Sequence, residues 1–377
     1  MTTIRAAVLR EPGSPVRVED VELDPPEAGE VLVRVAAAGV CHSDVCLADG
    51  ELGDGRWPMV LGHEGAGVVE AVGDGVAHVA PGDHVGFCIV PACRECAECL
   101  RGRPNLCIPA GRNSVRGVLM DGTSRLRLPD GTPLQHGLLT ACFAERTVVI
   151  AAGAVPLPRE LPLWQAALLG CGVVTGFGAV RNAARVRPGD SVAVIGCGGV
   201  GLQVIAAARL AGAKPLIAVD LDPAKLELAL ERGATHAVES GSSTTVARVR
   251  KLAGGRGLEH AFEVVGRPET MRLAWDVLRP GATAVVVGLA PRGAEVSLPA
   301  IELLSEKTLR GSYYGSGDAA ADLPELANLA LAGTLDLAGV VTAVDSLDGV
   351  QEALDRLRAG EGARTVLVVD PELAGGP

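Results

Sequence analysis

Four cysteines within fifteen residues place the strongest constraint on how this chain can fold. Cys93, Cys96, Cys99 and Cys107 follow a C-x2-C-x2-C-x7-C spacing in the turn-rich stretch "PACRECAECLRGRPNLC". Thiolates this close together can surround one soft or borderline cation tetrahedrally, and zinc is the usual occupant of such a site. Disulfides are a poor alternative, because cysteines with two residues between them cannot all pair without strain. The spacing predicts a closed, structural zinc site, so any chemistry must lie elsewhere.

A second group of soft ligands is spread along the sequence. Cys41 and His63 stand in "GVCHSD" and "GHEGAG", and Cys171 stands more than a hundred residues later in "LLGCGVVTGFGA". Two cysteines and one histidine form a three-ligand set that leaves a fourth zinc position for water or substrate, which a catalytic zinc needs. Each residue alone is weak evidence, because a single cysteine in an apolar stretch is more often a small buried side chain.

Composition limits the classes of function. The chain has 377 residues, enough for two domains with real cores, and a formal net charge of −11. Because no basic face is evident to bind phosphates, this charge argues against a nucleic-acid partner. The N-terminus shows no signal peptide, and the uncharged stretches 161–180 and 191–208 are interrupted by glycines. We therefore predict a cytoplasmic protein with no membrane association, where reduced cysteines favour metal ligation over disulfides.

The hydrophobic pattern changes along the chain. Short apolar or alternating runs separated by Pro-Gly and Gly-Asp turns fill roughly the first 150 residues and predict a barrel-like β domain. From about residue 161 an apolar helix precedes strands and helices in alternation, which predicts a parallel sheet covered on both faces. Two helices and a closing strand, "RTVLVVD", end the chain. The predicted fold class is therefore α/β.

A glycine-rich turn follows the predicted strand "SVAVI" and precedes the helical stretch "LQVIAAARLAG". Its residues are Gly196, Gly198, Gly199, Val200 and Gly201. Such glycines let the backbone approach a pyrophosphate, which the N–H groups and dipole of the helix N-terminus can hold. Asp220 ends the next strand, where a carboxylate would accept the ribose hydroxyls and repel a 2′-phosphate. The pattern predicts NAD rather than NADP as the cofactor.

These motifs together resemble the zinc-containing medium-chain alcohol dehydrogenase family over essentially the whole chain, most closely its classical alcohol and thiol-adduct formaldehyde dehydrogenase branch. The matching stretches are "GVCHSD", "GHEGAGVVEAVG", the four-cysteine loop, "MDGTSR", "GCGVVTGFGA", "GCGGVG", "AVD" and "GRPETM". The resemblance implies a GroES-like, β-rich catalytic domain built from residues 1–172 and 313–377, with a Rossmann domain inserted as residues 173–312. It also implies a homodimer joined through the cofactor domain near residues 301–314.

The resemblance further implies roles for individual residues. The implied ligands of a catalytic zinc are Cys41, His63 and Cys171. Ser43 occupies the place of the hydroxyl that takes the alcohol proton. Asp44 resembles the carboxylate that orients the histidine ligand, and Glu64 resembles an acidic neighbour that can approach the metal.

The same resemblance implies cofactor contacts outside the glycine-rich turn. His42 and Arg364 match positions that contact the cofactor pyrophosphate. Lys225 lies where the family often has a base beside the adenosine ribose, although a solvated helix charge explains it equally well. One position departs from the family pattern, because Cys46 stands where a histidine usually ends the proton relay. A neutral thiol is a poor proton exit near pH 7, so we expect protons to leave through water. A thiol that only packs in the wall of the site explains Cys46 equally well.

These observations predict an NAD-dependent alcohol dehydrogenase with two zinc ions per chain. Its predicted reaction is reversible hydride transfer between NAD and a primary or aromatic alcohol and its aldehyde. An alternative is the dehydrogenase of an S-(hydroxymethyl) thiol, a formaldehyde–thiol adduct whose carboxylate Arg112 and Arg116 could bind. A non-catalytic zinc- and nucleotide-binding redox sensor is a third hypothesis, but such a protein would not need an open zinc site.

Overall fold

The computed structural model of the chain describes residues 1–51 and 57–376. These residues form two compact units. The first unit comprises Met1–Val174 and Gly317–Pro377, and the second comprises Thr175–Ser316. The first unit is therefore built from both ends of the chain, and the second is inserted into it.

Short strands dominate the N-terminal part of the chain. They are β1 (Thr2–Leu9), β2 (Arg17–Leu23), β3 (Glu30–Val40), β4 (Met59–Val60), β5 (Glu64–Val72), β6 (His84–Phe87), β7 (Leu126–Arg127), β8 (Pro133–His136), β9 (Arg146–Ile150) and β10 (Ala154–Pro156). The α-helices of this part are α1 (His42–Ala48), α2 (Ala97–Leu100), α3 (Ile108–Arg116) and α4 (Leu163–Ala166).

Strands and helices alternate in the middle of the chain. The helices are α5 (Gly172–Gly178), α6 (Gly199–Leu210), α7 (Pro223–Glu231), α8 (Thr245–Leu252) and α9 (Pro268–Asp276). The strands are β11 (Val192–Ile195), β12 (Leu216–Asp220), β13 (His236–Glu239), β14 (Leu258–Glu263), β15 (Leu278–Val286) and β16 (Thr308–Gly311). The C-terminal part contains α10 (Ala319–Leu331), β17 (Val341–Ser346), α11 (Val350–Arg358), β18 (Arg364–Val368) and α12 (Pro371–Ala374).

The strands of the first unit form a barrel and a larger sheet. Strands β1, β2, β7, β8 and β4 close into the barrel, and the sheet has the order β10-β6-β5-β3-β18-β17, with β9 also paired to β3. Strand β3 is buried along almost its whole length, because Val31, Val33 and Val35 lie in the main apolar cluster. The C-terminal strand β18 pairs antiparallel with β3, and this pairing joins the two ends of the chain.

The second unit is a parallel sheet with the strand order β13-β12-β11-β14-β15-β16. All its pairings are parallel, and the four residues of β11 are fully buried, as expected for a sheet covered on both faces. The order reverses at β11 and β14. In open sheets of this type, ligands bind outside the carboxyl ends of the strands at that reversal. The predicted fold class, a β-rich unit from both chain ends with an inserted doubly wound sheet, is confirmed.

The apolar helix predicted from about residue 161 is not continuous. Helix α4 passes into a 3-10 turn at Ala167–Gly170, Cys171 has φ −140° and ψ −76°, and α5 begins at Gly172. Periodicity alone does not reveal this break, because the residues on both sides are equally apolar. Cys171 therefore lies at a break in the helix, with a backbone conformation that is not helical.

Within residues 1–51 and 57–376, no single helix is long and apolar enough to cross a membrane. One pair of helical segments, Leu163–Gly170 and Gly172–Ala184, meets the length and composition criteria when combined, with a bend of 51° between them.

Candidate active site and metal centres

Three elements of the first unit bring the predicted catalytic zinc ligands together. Cys41 lies between β3 and α1, His63 lies directly before β5, and Cys171 lies at the break before α5. The Sγ atoms of Cys41 and Cys171 are 3.8 Å apart, and Nε2 of His63 is 3.3 Å from Sγ of Cys171. All three side chains are buried, so residues separated by more than a hundred positions converge on one point.

These distances test whether the three residues fit a zinc ion. Two thiolates bound to one zinc at about 2.3 Å lie about 3.8 Å apart when the angle between them is tetrahedral. The Sγ–Sγ distance of 3.8 Å equals that edge. The ligand atoms of all three residues lie within 4.8 Å of one another. The donor set and its spacing therefore fit zinc with one coordination position left for another ligand.

Asp44 supports this set from inside the protein. Its carboxylate is fully buried, lies 2.9 Å from Nδ1 of His63 and accepts the backbone N–H of Cys41 at 3.1 Å. Because a carboxylate accepts hydrogen bonds, Nδ1 of His63 carries the proton and Nε2 is free to act as a ligand. Burial alone would lower the pKa of His63, but the charge of Asp44 outweighs it and raises that pKa. The Cys171 thiol and then His63 lower the pKa of Cys41.

Glu64 and Arg364 form a buried pair next to the ligands. Oε1 of Glu64 accepts the backbone N–H of Gly172 at 2.9 Å, and Oε2 lies 3.1 Å from Nη1 of Arg364. Burial raises the pKa of Glu64 to about 7, although the Arg364 charge partly opposes this. A Cβ on Gly172 would lie 1.9 Å from Nη2 of Arg364, so a larger residue there would displace the guanidinium. The sequence analysis missed this pairing, because residues 64 and 364 belong to motifs at opposite ends of the chain.

The first turn of α1 carries two further predicted residues. Ser43 is half-buried, and its Oγ lies 4.0 Å from Sγ of Cys41. His42 precedes it at the start of the helix and is exposed. The Ser43 hydroxyl therefore lies beside the predicted ligand set.

The four-cysteine loop forms a separate cluster. Its ligand atoms, the four Sγ atoms, all lie within 4.8 Å of one another. Backbone N–H groups point at the sulfurs: Cys93 donates to Cys107 at 3.3 Å, and Cys96 donates to Cys93 at 3.3 Å. Such donors stabilise thiolates, which are the form of cysteine that binds metal. The four-thiolate set fits a closed zinc site.

The glycine-rich turn lies in the second unit, at the carboxyl end of β11. Gly196 has φ +96°, and a Cβ on Gly201 would lie 1.9 Å from the carbonyl oxygen of Gly196. Gly198 precedes α6, and space is open around it, whereas Gly199 and Val200 begin the helix. A ligand phosphate can therefore approach the free N–H groups of this helix N-terminus.

Asp220 ends β12, as predicted, beside the glycine-rich turn. Its Oδ2 accepts the backbone N–H of Cys197 at 2.6 Å, and its Oδ1 accepts that of Asp222 at 3.0 Å. These bonds fix the carboxylate at the edge of the sheet. Lys225 lies on α7 and is half-buried. The glycine-rich turn and the Asp220 carboxylate lie next to each other, an arrangement that fits the pyrophosphate and a ribose of a dinucleotide.

Comparison with known proteins shows the family. Residues 27–159 match the alcohol dehydrogenase GroES-like domain, and residues 199–332 match the zinc-binding dehydrogenase family. The chain is 39% identical over 365 residues to an S-(hydroxymethyl)glutathione dehydrogenase of Escherichia coli O1:K1, covering 96% of this chain and 99% of that protein.

Solved structures agree with this assignment. An alcohol dehydrogenase zinc-binding domain protein from Burkholderia ambifaria is 37% identical with a TM-score of 0.93, covering 98% of this chain and 99% of that one. The benzyl alcohol dehydrogenase of Acinetobacter calcoaceticus is 31% identical with a TM-score of 0.92, covering 98% and 100%. The predicted resemblance, the enzyme class, and zinc and NAD as cofactors are confirmed. The chain belongs to the zinc-containing medium-chain alcohol dehydrogenase family, whose members transfer hydride reversibly between an alcohol and a nicotinamide cofactor.

Proposed function

We propose that this enzyme oxidises a primary or aromatic alcohol with NAD and reduces the corresponding aldehyde in the reverse direction. The observation that carries the proposal is the buried set of Cys41, His63 and Cys171, whose spacing matches three corners of a zinc tetrahedron. The benzyl alcohol dehydrogenase among the similar structures supports an aromatic substrate.

The proposed roles follow from the position of each residue. When bound, zinc supplies polarisation of the substrate oxygen, and NAD supplies the hydride acceptor. Ser43 takes the proton of the alcohol hydroxyl, since its Oγ lies next to the ligand set. Asp44 holds His63 in the tautomer that presents Nε2. Burial of the ligand side chains keeps bulk water away from this part of the site.

The proposed cofactor contacts lie in both parts of the sequence. The glycine-rich turn and α6 would hold the pyrophosphate, and Asp220 would accept the ribose hydroxyls. His42 and Arg364 stay proposed pyrophosphate contacts, and Lys225 stays a proposed ribose contact. The contact of Arg364 with Glu64 supports a second role for Arg364, which is to neutralise this buried carboxylate.

A second candidate substrate is a formaldehyde–thiol adduct. The relative from E. coli supports it, because that protein is an S-(hydroxymethyl)glutathione dehydrogenase and matches this chain over 365 residues. Arg112 and Arg116 lie exposed on α3, where they are accessible to a carboxylate of the thiol. An assay of NADH formation across a panel of alcohols, with and without formaldehyde and candidate thiols, separates the two. Turnover of benzyl alcohol without a thiol supports the first proposal, whereas turnover restricted to the adduct supports the second.

Zinc content tests the proposed metal sites. The wild-type chain should contain two zinc ions, and Cys171→Ser should reduce the count to one and abolish turnover while the fold is retained. Cys99→Ser is the matched control, because it also removes one thiolate ligand but leaves the three-ligand set intact. A Cys171→Ser variant that keeps two zinc ions or full turnover would refute the ligand assignment.

The proposal also includes the domain boundaries, the oligomeric state and the cellular location. The proposed domain boundaries at residues 172/173 and 312/313 are supported by the two compact units, which divide at 174/175 and 316/317. A homodimer is supported by exposed apolar side chains in residues 301–313 and by the edge strand β16. A cytoplasmic location is supported by ten cysteines, seven of which are assigned to metal sites that require reduced thiols.

A further inference from the structure

Glu263 is a buried carboxylate at the edge of the sheet where the strand order reverses. It is the last residue of β14, and its neighbours in register are Ile195 of β11 and Val286 of β15. Its side chain has no exposed surface. Within the described parts of the chain no cation forms a salt bridge with it. An ionisable group at this depth needs strong hydrogen bonds to offset the loss of hydration.

Among the described residues, all hydrogen bonds to the Glu263 carboxylate go to one of its oxygens. Oε1 accepts the backbone N–H groups of Val265 at 2.9 Å and Gly266 at 2.7 Å. It also lies 2.7 Å from the hydroxyl of Thr270 on α9. Hydrogen bonds to a charged acceptor are roughly twice as strong as neutral ones. The carboxylate therefore fixes the turn that joins β14 to α9.

This turn, residues 264–267, packs directly against the glycine-rich turn. A Cβ on Gly196 would lie 2.7 Å from Cγ2 of Val265 and 3.2 Å from the carbonyl of Val264. On its other side, a Cβ on Gly288 would lie 2.1 Å from the backbone nitrogen of Gly266. Val265 itself is 37% exposed, so it presents an apolar surface beside the predicted pyrophosphate site. A shift of the 264–267 turn would change the shape of that site.

The second carboxylate oxygen of Glu263 indicates that the burial of this side chain lowers the stability of the folded protein. Oε2 is buried and has no hydrogen-bond partner among the described residues. A buried acceptor without a partner is destabilising, so its presence in a native protein needs an explanation. We propose that Glu263 is a positioning residue for cofactor binding, whose carboxylate holds the 264–267 turn in its binding geometry before NAD arrives. This inference rests on the proposed function, because NAD is the ligand that the turn would border.

The test measures NADH affinity of the zinc-loaded protein by fluorescence titration. Glu263→Ala should raise the Kd for NADH by about tenfold, because binding must then order the turn as well. Glu263→Gln keeps an acceptor but loses the charge, so its Kd should lie between those of the wild type and Glu263→Ala. The KM for NAD should rise in parallel, whereas kcat at saturating NAD and the zinc content should not change.

Glu259→Gln is the matched control. Glu259 lies near the opposite end of the same strand, where it accepts the N–H of Ser191 at 2.8 Å and bonds Arg279 at 2.9 Å. Its loss should reduce stability without changing the Kd for NADH. The proposal is overturned if folded Glu263→Ala binds NADH as the wild type does, or if Glu259→Gln raises the Kd equally. Should Glu263→Ala fail to fold, Thr270→Val removes one donor to the same oxygen and must raise the Kd.

Amide hydrogen exchange without cofactor separates this inference from the cofactor assignment. The N–H groups of Val265 and Gly266 should exchange faster in Glu263→Ala than in the wild type, whatever the cofactor is. Faster exchange with unchanged NADH affinity would overturn the positioning role and leave NAD as the cofactor. Absence of NADH binding by the wild type would instead refute the cofactor assignment and, with it, this inference.

Discussion

The burial of His136 should make the stability of the folded protein sensitive to acid. It ends β8 and has no exposed surface, and Nε2 accepts the backbone N–H of Arg125 at 3.3 Å. Nδ1 therefore carries the proton, and it has no hydrogen-bond partner among the described residues. Burial and then the Arg125 charge lower the pKa of His136 to about 3, although Asp121 partly opposes them. The folded protein thus keeps this histidine neutral in mild acid.

We expect the free energy of unfolding to decrease as the pH falls below about 6.5. Above that pH the histidine is neutral in both the folded and the unfolded chain, and below it only the unfolded chain binds the proton. By about pH 5 the free energy of unfolding should fall by about 2 kcal/mol from this group alone. Urea denaturation of wild type and His136→Gln at neutral pH and at about pH 5 checks this, because other acid-sensitive groups cancel in the comparison. An equal loss in both proteins would contradict the prediction.

Because Cys46 stands where a histidine usually ends the proton relay, we expect the rate of hydride transfer to increase with pH. It is buried on α1, where burial and then Glu51 raise the pKa of its thiol to about 12. A thiol that stays protonated cannot pass a proton to solvent, so we expect the single-turnover rate to rise toward alkaline pH. Cys46→His introduces a group that titrates near pH 6.5 and should extend activity into mild acid. Cys46→Ser should keep the wild-type profile. A wild-type rate that is already constant in mildly acidic buffer would refute this.

Individual residues differ in how far the sequence predicts their surroundings. The spacing of the four cysteines suggests their common ligand directly, since they are neighbours along the chain. Asp44 lies close to Cys41 in sequence, so its support of the ligand set can also be expected. The pairing of Glu64 with Arg364 and the burial of Glu263 depend on how distant strands pack. No local pattern of residues encodes such contacts.

At the scale of the element, the four-cysteine loop should depend on its metal. Among the described residues, the apolar cluster around β3 and the apolar cluster of the barrel include none of residues 88–118. Leu100 and Val115 are 75% and 61% exposed, so α2 and α3 bury little apolar surface. A segment with so small a core usually needs a metal or disulfides to stay folded. We therefore expect Cys99→Ser to unfold this loop locally.

Limited digestion with trypsin measures this effect. The loop carries four possible cleavage sites, Arg94, Arg101, Arg112 and Arg116, because Pro104 protects the bond after Arg103. Cys99→Ser should be cut there many times faster than the wild type, because the protease requires an open chain. Cys171→Ser removes the other proposed zinc and should leave the loop resistant. Equal resistance of wild type and Cys99→Ser would show that the metal does not hold the loop.

Secondary structure was predicted best where the pattern was long and the turns were clear. Strand β11 lies within the predicted strand "SVAVI", and the short strands β1 to β9 fill the part of the chain that is predicted to be β-rich. The apolar pattern does not reveal the break at Cys171, because the residues on both sides of it are equally apolar. That break decides where the Cys171 ligand points. Local backbone geometry at the site therefore comes from tertiary packing rather than from propensity.

For the whole molecule, the proposed homodimer would use an apolar surface of the second unit. Strand β16 lies at the edge of the six-stranded sheet and pairs with β15 alone. Before it, Ile301, Leu303 and Leu304 are 73%, 55% and 80% exposed. An apolar surface beside an unpaired strand edge is prone to associate. The segment is also held in place, since Glu302 accepts the indole N–H of Trp275 at 2.9 Å.

We expect Leu304→Glu to convert a dimer into a monomer, because a charge buried at such an interface would lose its hydration without gaining a partner. Leu100→Glu is the matched control: Leu100 is similarly exposed, at 75%, but lies in the four-cysteine loop of the first unit. Sedimentation velocity across a range of concentrations gives the mass of each species. Dissociation caused by Leu100→Glu, or a Leu304→Glu protein that stays dimeric, would move the interface elsewhere. A monomeric wild type would show that this apolar surface does not join two copies.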